Sequence, residues 1–134
     1  MKLTLDSINR INLFESITKA KVKDCISDND SLIFLVEEGN IKQALGKDNS
    51  NIFKLKRMLK KNVKIIGFSN DVCKFVGNLI YPNKAEIKLD GKVVVIFSED
   101  SVVKGRIFGR SKENLKKINS LVKNYFDIEE VKVT

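Results

Sequence analysis

Ala44-Leu-Gly-Lys-Asp-Asn-Ser-Asn-Ile-Phe-Lys-Leu-Lys-Arg-Met-Leu59 decides how this chain is to be read. An apolar end meets a single glycine, Gly46, and a polar turn follows. Then lysines and an arginine interleave with Ile52, Leu55 and Leu59. Apolar residues three and four apart with cations between them predict a basic amphipathic helix over residues 50–61. Ahead of the glycine, residues 39–45 read as a short helix that Gly46 ends. The stretch is therefore a helix, a tight turn and a cationic helix.

Outward from it, the apolar run Leu32-Ile-Phe-Leu-Val36 reads as a buried strand. Asp28-Asn-Asp30 before it has turn chemistry, and residues 20–26 make a hairpin partner. Residues 4–19 place Leu5, Ile8, Ile11, Leu13, Phe14 and Ile17 on helical spacing, with Asp6 and Ser7 suited to the start. Val63-Lys-Ile-Ile-Gly67 is a third strand.

After residue 67 the order begins again. Ser69 or Asn70 is suited to cap a helix over residues 71–80, which Pro82 stops. Ala85, Ile87 and Leu89 alternate with charged residues, Asp90-Gly91 signals a hairpin, and Val93-Val-Val-Ile-Phe97 is the apolar partner. A short helix over residues 99–108 ends at Gly109, a second basic amphipathic helix covers residues 111–124, and a strand closes the chain over residues 127–133. From Gly46 to Gly109 is 63 residues, and at that offset Asn51 falls on Asn114, while Ile52, Leu55 and Leu59 fall on Leu115, Ile118 and Val122. Ile33-Phe34 falls on Ile96-Phe97 at the same offset. The expected fold is thus α+β: two units, residues 1–67 and 68–134, each ordered α-β-β-α-α-β with helices on one face of a three-stranded sheet. Units of this size stand near the lower limit for independent folding, and so short a connection predicts that they pack as one rigid body.

The chain has 134 residues, 43% of them hydrophobic, with a formal net charge of +8. A basic balance favours nucleic acid or an anionic surface as partner. Cations gather near the two glycines: Lys42, Lys47, Lys54, Lys56, Arg57, Lys60 and Lys61 at the first, and Lys104, Arg106, Arg110, Lys112, Lys116 and Lys117 at the second. Asp48 and Glu113 are the opposing acids. Histidine is absent, which removes the commonest general base. No nucleophile–base pair, phosphate loop or metal cluster is legible, so neither an enzyme nor a cofactor nor a metal site is expected. Cys25 and Cys73, each among apolar neighbours, read as reduced thiols. No apolar run approaches membrane-spanning length and the start lacks a signal-peptide core, so a soluble cytoplasmic protein without membrane contact is expected.

The repeated order, with a glycine turn between the two central helices of each unit, resembles the type II KH domain and its Gly-x-x-Gly loop. Two such units in tandem, each with an asparagine five residues after the glycine, resemble the archaeal NusA-like transcription factors over nearly the whole chain. The resemblance implies a monomeric, non-enzymatic protein that binds single-stranded RNA and acts in transcription elongation, termination or antitermination, with RNA polymerase as a further partner. It places the RNA contacts at Gly46, Lys47, Asn49, Asn51 and Lys54 in the first unit. In the second it places them at Gly109, Arg110, Ser111, Lys112, Asn114 and Lys117. KH loops clamp the backbone of a four-nucleotide strand, with the second helix offering its amides and positive dipole end to phosphate. Both loops here, Gly46-Lys-Asp-Asn49 and Gly109-Arg-Ser-Lys112, lack the second glycine. Asp48 repels phosphate, whereas Arg110 and Lys112 attract it, so the second loop is expected to grip more strongly. The alternative is that such degenerate loops no longer bind RNA and the chain is a protein-interaction scaffold on RNA polymerase or the ribosome.

Overall fold

Thr4 opens the first helix. Its hydroxyl accepts a hydrogen bond from the Ser7 amide (3.1 Å), and the Ser7 hydroxyl accepts one from the Thr4 amide (2.9 Å). This reciprocal cap satisfies donors that a helix start leaves orphaned. In the computed structural model, which describes residues 4–28 and 31–134, helix α1 spans Leu5–Thr18 and ends where Lys19 turns left-handed. Asp6 and Ser7, expected at the start, lie in its first turn, where Ser7 completes the cap. Only part of the predicted apolar face is used: Phe14 is buried, while Leu5 remains 74% exposed.

Strands β1 (Val22–Asp28), β2 (Ser31–Glu37) and β3 (Asn62–Phe68) form the first sheet in the order β1-β2-β3. Asn29 and Asp30 of the expected hairpin turn lie outside the described residues. β1 pairs antiparallel with β2, and β2 pairs parallel with β3. A parallel pair needs a crossover, and helices α2 (Ile41–Leu45) and α3 (Ser50–Leu59) supply it. Leu32, Phe34 and Val36 of β2 meet Phe14, Ala44 and Leu55 in one core, with the rings of Phe14 and Phe34 stacked 4.4 Å apart.

The second unit repeats this order with α4 (Val72–Ile80), β4 (Glu86–Asp90), β5 (Val93–Phe97), α5 (Ser101–Phe108), α6 (Glu113–Tyr125) and β6 (Glu130–Val133). Its sheet runs β4-β5-β6, antiparallel and then parallel. Val94 and Ile96 are buried, as are Phe75, Ile107, Ile118, Val122 and Val131. The compact units comprise Met1–Phe68 and Ser69–Thr134. Each is a type II KH-like αββααβ unit with its helices on one face of a mixed sheet.

Several local expectations are corrected. The cap of α4 is Asp71, whose carboxylate accepts from the Cys73 amide (2.9 Å), rather than Ser69 or Asn70; the Ser69 hydroxyl accepts from the Asp71 amide one step earlier. Asp100 caps α5 in the same way, and β6 starts at Glu130, later than predicted. The offset that aligns the loops also fails in the strands. Phe34 is fully buried, yet Phe97, its match at that offset, is 42% exposed, and the buried counterpart is Ile96. Side chains alternate along a strand, so a one-residue slip exchanges the inner and outer faces. The slip is taken up between strand and helix, where a single 3-10 turn (Glu38–Asn40) leads into α2 and Asp100 leads into the longer α5.

Candidate nucleic-acid interface

Both glycine turns adopt one backbone shape. Gly46 has φ 72 and ψ 178, Gly109 has φ 71 and ψ 176, and each is followed by a single 3-10 turn. Two successive left-handed residues then lead into the cationic helix: Asp48 and Asn49 in the first turn, Ser111 and Lys112 in the second. The last of each pair stands where the KH pattern has its second glycine. Asp and Asn tolerate left-handed backbone better than most residues, which gives Asp48 a conformational reason to occupy a turn where its charge is unhelpful.

The glycines are required from within. A Cβ on Gly109 would lie 2.6 Å from Asn114 Cβ and 2.9 Å from its backbone nitrogen; on Gly46 it would lie 2.8 Å from Asn51 Nδ2. The space a side chain would take is already filled by the asparagine that opens the next helix. Asn51 Nδ2 donates to the Ala44 carbonyl (3.1 Å), and Asn114 Nδ2 donates to the Ile107 carbonyl (2.9 Å). Each asparagine thereby satisfies a carbonyl that the preceding helix leaves open at its end, tying the two helices across the turn. These amides shape the turn, and the cations beside them are the groups left facing outward.

Lys47, Asn49 and Lys54 are exposed in the first unit, as are Arg110, Ser111, Lys112 and Lys117 in the second. Neither α3 nor α6 has a side-chain cap at its start, so first-turn amides there have no side-chain acceptor. At the second turn, Gly109, Arg110, Ser111, Asn114 and Lys117 line a concavity of ≈ 460 Å³ together with Glu113. Thus the second loop also has an acid at its rim, although none within the turn.

A longer groove of ≈ 620 Å³ runs between α6 and β6, beginning at Lys112 and passing Lys116, Lys123 and Lys132, with Glu129 and Glu130 toward the strand. Asn119 lies within it. Its Nδ2 donates to the carbonyls of Leu115 (3.0 Å) and Val131 (2.9 Å), and its Oδ1 accepts from the Val131 amide (2.8 Å). β6 is an edge strand, and this side chain occupies its outward donor and acceptor at Val131. Sequence reasoning missed Asn119; its only sign was a poor helix former in a helix interior.

The cysteines are not activated. Burial pushes the Cys25 thiol up to about 11, with Arg10 opposing and Asp24 adding to the shift. Burial and then Asp71 also raise Cys73. A thiol held above its ordinary range is a poor nucleophile near neutral pH. Among the described residues no cluster of three or more histidines, cysteines or acids is placed to hold a metal, and no helix is long and apolar enough to cross a membrane.

No family model matches the chain. Among curated proteins it is 31% identical, over 99% of its own length and 75% of the relative's, to a probable transcription termination protein NusA of Methanocaldococcus jannaschii. It is 36% identical to the protein of that name in Methanococcus vannielii, over 82% of this chain and 61% of that one. Among solved structures, the crystal structure of APE1850 aligns with a TM-score of 0.78 and 30% identity, covering 98% of this chain and 100% of the other. With the duplicated αββααβ order and the paired glycine turns, these likenesses place the chain in the archaeal NusA-like family of tandem KH-domain proteins.

Proposed function

We propose that this protein binds single-stranded RNA through its two glycine turns and acts on nascent transcripts at elongation or termination, alongside RNA polymerase. One observation carries the reading: the same strained turn is built twice. Each copy sets exposed cations at the start of a helix whose first turn no side chain caps. A phosphate fits that setting, because it accepts from backbone amides, sits at the positive end of the helix dipole and pairs with the flanking cations. The relatives bear the name of transcription termination proteins, in keeping with RNA as the ligand.

The contacts we assign are Lys47, Asn49 and Lys54 around Gly46, and Arg110, Ser111, Lys112 and Lys117 around Gly109. Asn51 and Asn114 act by holding the turns. Affinity comes chiefly from phosphate neutralisation, so titration of an unstructured RNA at several salt concentrations is the test. Log affinity is expected to fall with log salt by roughly 0.7 per phosphate neutralised. A flat salt response, or equal affinity for duplex DNA, would defeat the proposal. Asp48 and Glu113 favour the scaffold reading to the extent that they oppose phosphate. That reading requires capture of RNA polymerase that survives nuclease treatment, together with no measurable RNA binding.

A further inference from the structure

Phe53 stands on α3, one of the two most cationic helices, and is 60% exposed. Leu55, two residues on, is fully buried, so the helical period turns Phe53 away from the core. Lys54, Lys56 and Arg57 follow it in sequence and are all exposed. A scattered surface leucine would need no explanation. A phenylalanine beside three cations is different, and its register with the second unit gives it a counterpart.

The helices α3 and α6 are in register at the offset that joins the glycines: buried Leu55 matches buried Ile118, and Asn51 matches Asn114 in the same clasp. In that register Phe53 occupies the position of Lys116, which lines the groove between α6 and β6. Lys56 occupies the position of Asn119. A lysine ammonium only donates, so it cannot reproduce the two-way amide clasp that seals the edge of β6. The two units therefore differ in one direction. The second has an acid-free turn, a line of lysines and a sealed strand edge. The first has Asp48 in its turn, an exposed aromatic ring at the position that matches Lys116, and no amide at the sealing position.

We infer that Phe53 is a base-stacking residue: the first unit holds RNA through a nucleobase lying on its ring, while the second unit holds the phosphate backbone. This rests on the RNA-binding reading above. An exposed ring offers its face to any base, and neighbouring lysines and Arg57 neutralise the phosphates on either side of the stacked nucleotide. The assignment also reconciles Asp48 with RNA binding, since a unit that holds a base depends less on its phosphate clamp.

The chain contains no tryptophan, so Phe53→Trp introduces a single reporter at an exposed site. Short oligoadenylate is expected to quench its fluorescence, and an abasic ribose-phosphate oligomer of the same length is expected to leave it unchanged. In the full chain, Phe53→Leu is expected to weaken oligoadenylate binding roughly tenfold, as for loss of one stacked base. Binding of the abasic oligomer should not change, and Phe53→Tyr should restore affinity. If wild type binds RNA in the salt-dependent manner above while Phe53→Leu binds oligoadenylate equally well, or Phe53→Trp is not quenched, the stacking role is overturned and the RNA reading stands. If wild type binds neither oligomer, both fall together. Should Phe53→Leu instead abolish capture of a protein partner and leave RNA affinity intact, the ring belongs to a protein interface and the inference fails.

Discussion

Lys112 and Gly109 show how one turn sets opposite demands on neighbouring residues. Lys112 has φ 62, a left-handed backbone that costs an ordinary L-residue ~1–2 kcal/mol. Lys112→Gly removes that strain but adds freedom to the unfolded chain, so a net stabilisation of roughly 0.5–1 kcal/mol is expected. Gly109→Ala works the other way. Its φ 71 and ψ 176 fall in a region all but reserved for glycine, and the new Cβ would press on the Asn114 backbone. A loss of about 2 kcal/mol or more is expected. Urea unfolding midpoints measure both: the glycine variant of Lys112 should unfold later than wild type, and the alanine variant of Gly109 earlier. The same pair separates stability from binding, because Lys112→Gly also removes a loop cation and should weaken RNA affinity while raising the midpoint.

At the level of the element, β6 owes its edge to one side chain on α6. Asn119→Ala removes bonds to both the amide and the carbonyl of Val131, each worth about 1 kcal/mol net. The Val131 amide should then exchange its hydrogen faster by about the factor that the lost stability dictates. Asn119→Asp keeps the acceptor and loses the donor, setting a carboxylate against two carbonyls, and should destabilise more than alanine does. Exchange at Val131 that is unchanged in both variants would show that the clasp does not hold the edge. This contact also marks where sequence reading stopped. The helices and strands were legible because their apolar periods of about four and two survive in Ile52, Leu55 and Leu59 and in Ile87 and Leu89. The caps were legible only to within a residue or two, since Thr4, Ser7, Ser69, Asp71 and Asp100 all carry capping chemistry and local geometry selects among them. Asn119 was not legible, because its partner Val131 lies on a different element.

Over the whole molecule the net charge of +8 ensures some attraction to any polyanion, so total affinity alone cannot rank the units. Single charge reversals can. Arg110→Glu is expected to lower affinity for single-stranded RNA more than Lys47→Glu does. In the first turn Asp48 stands within the turn and offsets part of the positive field, whereas Ser111 and Lys112 stand there in the second and Glu113 lies only at its rim. Equal losses in a salt-matched titration would reject the unequal grip. The sequence by itself determined the duplicated element order, the two glycine turns and the clustering of cations beside them. These follow from composition and spacing within short windows, where local periodicity and turn chemistry act. Tertiary structure alone decided that Ile96 rather than Phe97 turns inward, that Asn51 and Asn114 fill the space the glycines vacate, and that Asn119 closes a strand edge. Each of these depends on which distant atoms come within hydrogen-bond or packing distance once the helices lie on their sheets, and a one-residue slip in a strand reverses its faces without disturbing the pattern by which it was recognised.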